Sequence, residues 1–129
     1  GRSLSFRGTR GPDMTDQACR RGEVWLVNFN PGRGSEQKGV RPSLVIQNDV
    51  GNQHASTTIV AAITTTLKKY PVTVLLDPHE GGLKEPSMVN LAQLLTLDKN
   101  RLMKKLGSIG VEKLREVDEA IKISLGLYS

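Results

Sequence analysis

The sequence predicts a mainly β fold: a small curled sheet or barrel closed off by one C-terminal helix. Three observations predict it. At least five short runs are rich in Val, Ile, Leu and Thr; Gly- and Pro-rich breaks separate them; and a helical period is confined to the last twenty residues. The 129 residues fit one domain, large enough to take roughly two-thirds of its unfolded surface out of water.

The first twenty residues are rich in Gly, Arg and Ser and lack apolar periodicity. Residues 1–20 are expected to be a disordered leader or cloning remnant, with Met14 as the native start, and 21–129 a single domain. The leader could also serve as a basic arm for RNA. Glu23–Phe29 reads as a strand ended by Asn30-Pro31-Gly32. The glycine-rich stretch 32–39 that follows should be a mobile connection. Pro42–Asn48 is a second strand, with its proline at the first position. Asp49–Ser56 reads as a polar loop and Thr57–Thr64 as a third strand. Val72–Leu76 is a fourth, closed by Asp77-Pro78. Ser87–Leu97 is a fifth, with a break expected near Ala92. Asp98–Lys105 reads as a helical turn, and 107–110 as a turn or brief strand.

The last element has a different period. Val111, Leu114, Val117, Ala120, Ile121 and Leu125 recur at helical spacing. Gly110 is an acceptable N-cap, and Glu112 suits the positive first turn. Ile109 and Leu114 fall on the two positions of a hydrophobic staple, and Gly126 can end the helix.

Charge and composition narrow the function without choosing it. The net charge is +5. Four Arg and two Asp in residues 1–20 leave +2, and fourteen Lys/Arg against eleven Asp/Glu leave +3 in the remainder. A polyanionic partner is compatible with this mild excess, as is a plain solvated surface. Aromatic residues are 4%, too few for a binding face built mainly of stacked rings. The single cysteine, Cys19, cannot form an internal disulfide. It sits in the polar leader, which argues against a nucleophile. No apolar run approaches the roughly 20 residues of a membrane span. A cytoplasmic protein with no membrane role is expected.

Common catalytic signatures are missing. There is no P-loop, no GxGxxG after a strand, no Cys/His set at zinc spacing and no DxD-like cluster for Mg²⁺. No cofactor or metal is therefore expected. His54 and His79 lie in separate loops with nothing to pair them as acid and base, and Asp77 and Glu80 read as loop charges. Two elements remain. Pro42 forces Arg41 into an extended conformation at a fixed strand start, and a planar, always charged guanidinium there suits a phosphate. Thr64 closes an apolar strand and could donate a hydroxyl to a phosphate oxygen. On residue chemistry alone, a surface ion pair for Arg41 and a strand-closing role for Thr64 fit as well.

Together these segments resemble the MazF/PemK family of mRNA interferases. The likeness rests on Arg21-Gly22-Glu23-Val24-Trp25, on Gly34-Ser35-Glu36-Gln37 followed by Gly39-Val40-Arg41-Pro42, and on Val45-Ile46-Gln47-Asn48-Asp49. It continues through Ile59–Thr64, Leu97–Leu102, Val117-Asp118-Glu119-Ala120 and Leu125-Gly126-Leu127. The resemblance implies a small SH3-like barrel of the CcdB/PemK type with a C-terminal helix, forming a homodimer. It implies a growth-inhibiting toxin that cuts single-stranded RNA, with Arg41 and Thr64 in the active site. Ser35, Glu36, Gln37, Lys38 and Gln93 would contact the RNA. A MazE-like antitoxin would fill the same groove with an acidic C-terminal tail. Ala92 and Leu95 depart from the family, which often has an acidic residue before the Gln and a basic one two places after it. The rival expectations are a same-fold toxin that inhibits a protein such as a topoisomerase, and an inactive regulatory module.

Overall fold

The computed structural model describes residues 18–30, 39–68 and 70–127. Its elements are β1 (Glu23–Asn28), β2 (Val40–Val45), α1 (Asp49–His54), β3 (Thr57–Thr64), β4 (Thr73–Leu76), β5 (Ser87–Asp98), β6 (Leu102–Ser108) and α2 (Val111–Leu125). Short 3-10 turns occupy Glu80–Gly82 and Lys99–Arg101. Among the described residues the strands form one antiparallel sheet in the order β4-β5-β3-β2-β1-β6.

Period-two alternation gives this sheet two apolar faces. On one face Val24, Leu44, Ile63 and Val89 pack with Val117 and Ala120 of α2. On the other, Trp25, Val27, Val45 and Val60 pack with Leu97 and Leu102. Each fully buried aliphatic side chain contributes about 1.5–3 kcal/mol relative to exposure. The edge strands β4 and β6 do not pair. Instead the turn after β4 lies against β6, where a Cβ on Gly82 would come 2.0 Å from the Leu106 carbonyl oxygen. This contact gives the sheet its barrel-like curl.

The terminal helix follows its sequence signals. Gly110 is the N-cap, and both staple residues, Ile109 and Leu114, pack on the first cluster. Gly126 takes φ 72°. Its N–H donates to the Ile123 carbonyl, and the Leu127 N–H to that of Lys122, the paired bonds of a Schellman ending. Lys113 Nζ also donates to the Leu75 carbonyl at 2.6 Å, tying the helix to β4.

Four stretches differ from the sequence expectation, the first being β2, which runs Val40–Val45 and so carries Pro42 at its third position. The expected loop 49–56 contains α1, because the Asn48 side chain caps it by accepting from the Gly51 N–H at 2.8 Å. Asn52 of that helix is buried, and its Oδ1 accepts from the Thr58 hydroxyl and from Gln47 Nε2. The expected helical turn at 98–105 is helical only at Lys99–Arg101. Leu102–Ser108 is instead an edge strand paired to β1. Cys19, read as part of a polar leader, is buried in the second cluster.

Two carboxylates make the fold acid-sensitive. Burial pushes the Glu23 pKa up, but hydrogen bonds from the Trp25 indole, Lys105 and the Arg20 N–H outweigh it and hold it below the ordinary 4.5. Asp49 is held below its ordinary 3.8, first by the Arg21 N–H and then by Asn52. A depressed folded-state pKa contributes stability that is complete above the ordinary value and is lost as pH falls through the depressed one. Thermal midpoints should therefore drop below about pH 4.5, and Glu23→Gln should flatten that drop. Identical acid profiles for wild type and Glu23→Gln would remove Glu23 from this account.

Candidate active site

β2 and β3 pair with Ser43 opposite Ala62, Leu44 opposite Ala61 and Val45 opposite Val60. The paired ladder stops at Ser43, since Pro42 has no N–H to donate. Carried two residues further, the same register sets Arg41 opposite Thr64. Directly opposite residues share a face, with Cβ atoms about 4.5–5.5 Å apart. The register thus assigns both residues to one face of the sheet, although they lie far apart in the sequence.

The two side chains are prepared differently. Arg41 is exposed and makes no hydrogen bond or ion pair among the described residues. The Thr64 hydroxyl accepts from the Thr66 N–H at 3.1 Å. That bond fixes the oxygen and leaves the hydroxyl proton to be donated elsewhere. Beside them Ser43 is fully buried, and its Oγ has no hydrogen-bond partner among the described residues. Across Thr64 on β5 lies Met88.

Ser35, Glu36, Gln37 and Lys38 lie outside the described residues, but the base of their loop is described. The Phe29 N–H donates to the Gly39 carbonyl at 2.8 Å, and the Gly39 N–H donates to Asn30 Oδ1 at 3.0 Å. Arg101 then donates to the carbonyls of Asn28 and Asn30. This clamp ties the two ends of the loop together, and its Gly39 end lies two residues before Arg41.

Gln93 sits in an irregularity of β5. Ala61 pairs with Leu94, whereas the next residue, Ala62, pairs with Asn90, so the register shifts across residues 91–93. Such bulges re-aim side chains and are common beside active sites. Ala92 is exposed there and Gln93 is half-buried. Leu95, the other departure from the family, packs against the second cluster opposite Val60.

Other candidates lie elsewhere. His54 ends α1 and is exposed; His79, also exposed, is held at φ 77° after β4. Among the described residues no three His, Cys, Asp or Glu side chains converge. A cleft of about 350 Å³ is lined by Cys19, Arg20, Asp49, Asn52, Gln53 and Lys99, near the opposite end of β3 from Thr64. Burial raises the Cys19 pKa, against smaller opposing effects of Thr58 and Lys99, which makes it a poor nucleophile at neutral pH. The Lys99 ammonium is buried and bonded to the Asn52 carbonyl; nothing in the sequence signalled this. No described helix is long and apolar enough to cross a membrane.

Comparison with known proteins identifies the family. An endoribonuclease MazF of Staphylococcus saprophyticus is 46% identical over 112 residues, covering 85% of this chain and 93% of its own. A mycobacterial endoribonuclease solved in complex with its cognate antitoxin superposes with a TM-score of 0.75 at 26% identity, covering 87% of this chain and 99% of that one. MazF from Deinococcus radiodurans superposes at 0.71 with 28% identity, over 85% and 98%. A family model for PemK-like, MazF-like toxins of type II toxin–antitoxin systems matches residues 20–125, and with that span nearly filling the described fold, the chain belongs to this toxin family.

Proposed function

We propose that this toxin is a metal-independent, sequence-specific endoribonuclease acting on single-stranded RNA, with Arg41 and Thr64 holding the scissile phosphate. The β2–β3 register supports the reading, because its continuation sets a guanidinium with no partner among the described residues opposite a hydroxyl whose oxygen is held by the Thr66 N–H. The ribose 2′-oxygen attacks its own 3′-phosphorus and the bond to the 5′-oxygen breaks. The products are a 2′,3′-cyclic phosphate and a 5′-hydroxyl end. The nucleophile is already tethered beside the phosphorus, so positioning supplies much of the rate.

What remains is charge. Arg41 stabilises the extra negative charge of the phosphorane-like transition state, and Thr64 adds a second donor. Arg41 stays protonated at any working pH, so it does not take the 2′-hydroxyl proton. The general base is not assigned: Glu36 would either take that proton or accept from a cytosine amino group, while Ser35, Gln37 and Lys38 contact RNA with Gln93. Single-stranded RNA is the substrate because sequence readers need splayed bases. The active form is a cytoplasmic homodimer with the RNA in a groove across its interface. A MazE-like antitoxin closes that groove with its acidic tail.

Incubation with a long RNA in EDTA tests the reading. Discrete fragments with cyclic phosphate ends are expected, and intact RNA at stoichiometric protein would overturn it. Sedimentation at micromolar concentration tests the dimer, which a monomer would refute.

A further inference from the structure

We propose that Asn90 is an RNA-contacting residue in this chain, donating from its side-chain amide to an acceptor beside the scissile phosphate. The inference rests on the endoribonuclease reading above and deepens it. Asn90 lies opposite Ala62 on β3 and Thr73 on β4, and two residues earlier Met88 lies opposite Thr64. Side chains two residues apart on a strand share a face. Asn90 therefore faces the same way as Ala62 and Thr64, and through the Ser43–Ala62 pair the same way as Arg41. It is a diagonal neighbour of Thr64, at a separation of roughly 7–8 Å.

The bulge fixes the orientation of the amide. Asn90 Oδ1 accepts from the Ala92 N–H at 3.0 Å. Only the oxygen can accept from an N–H, so this bond also settles which end of the amide is which. Nδ2 is left with two N–H donors and no partner among the described residues, and the side chain is half-buried rather than sealed off. Thr64 is built on the same plan: its oxygen is held by the N–H two residues on, and its proton is left over. The face thus presents a guanidinium, a hydroxyl and an amide in sequence from β2 through β3 to β5. All three have protons to give. Their complement on RNA is a phosphate oxygen or a base carbonyl, and both acceptors are present at the nucleotides flanking the cut.

Asn90→Asp separates this role from simple support of the bulge. The carboxylate still accepts from the Ala92 N–H, so the melting temperature should stay within about 2 °C, the smaller of the shifts expected for losing a bond of this kind. The donor, however, is gone and a negative charge faces the RNA. The expected result is a fall in kcat/KM of about 10–100-fold, the range for one lost hydrogen bond to a charged group. Binding of a non-cleavable 2′-O-methyl RNA should weaken in parallel. Cleavage mapped across one long RNA distinguishes the acceptors: a uniform loss at all sites means phosphate, and changed preference at one base position means a base edge. Wild-type cutting by Asn90→Asp overturns the proposal, and so does an activity loss that merely follows a loss of melting temperature. If wild type itself leaves RNA whole, the endoribonuclease reading falls and this one with it; equal cutting by both proteins removes only this one.

Discussion

Arg41→Ala should cut RNA about 10²–10³-fold more slowly than wild type, the usual cost of removing one oriented donor to transition-state charge. It should melt within a degree or two of wild type, because Arg41 is exposed and makes no hydrogen bond or ion pair among the described residues. The pairing of these two outcomes is the informative part. A residue that supported the fold would lose both properties together. Single-turnover cleavage of a short oligonucleotide separates the chemical step from binding, and most of the loss should fall on kcat. Arg41→Lys should be intermediate: it keeps the charge but loses the planar pair of donors. Thr64→Ser should stay near wild type, since it keeps the hydroxyl, whereas Thr64→Val should not. An Arg41→Ala protein within threefold of wild-type activity would take the guanidinium out of the mechanism.

The contrast between α2 and β6 shows which elements could be read from the sequence. The helix carries its own signals: a 3.6-residue period, a staple and a terminal glycine, all local to Ile109–Gly126. β6 carries few. Its Lys104 and Lys105 are exposed, as suits an edge strand that must not pair with strangers, but charges in a short run after Asp98 look like a helical turn. α1 was hidden for another reason. Its buried residue is Asn52 rather than an aliphatic, so the burial follows from a polar network that no hydropathy pattern records.

The site divides in the same way. Arg41 and Thr64 could be named from the sequence, yet their meeting depends on the register between two strands, a property of pairing rather than of either segment. Asn90 could not be named at all. Period-two reading of Ser87–Leu97 does not reveal that the register with β3 shifts across residues 91–93, and that shift is what turns Asn90 toward Thr64. The family likeness identified residues that match a motif; Asn90 lies outside every motif that carried it.

Gly82→Ala should be the most destabilising Gly→Ala change among the described residues. Gly82 has φ 78°, a left-handed conformation that costs a non-glycine residue about 1–3 kcal/mol. The added Cβ would also lie 2.0 Å from the Leu106 carbonyl oxygen and 2.5 Å from its carbon. Those are backbone atoms of β6 and cannot rotate aside as a side chain would. Forcing the turn away adds overpacking strain of about 1–3 kcal/mol. The opposing surface is equally tight, since a Cβ on Gly107 would sit 2.7 Å from the Gly81 carbonyl carbon. Domains of this size have total stabilities of about 5–15 kcal/mol, so the combined cost removes a large share. The expected result is a melting temperature lower by about 6–24 °C, at roughly 3–4 °C per kcal/mol for a chain of this length, with RNA cleavage lost only as the fold is lost. Gly110→Ala is the internal control: no atom lies within 4 Å of its would-be Cβ, and its φ of −78° suits any residue. If Gly82→Ala and Gly110→Ala melt together, the turn after β4 does not hold the two edges of the sheet, and the barrel-like curl must come from the strands alone.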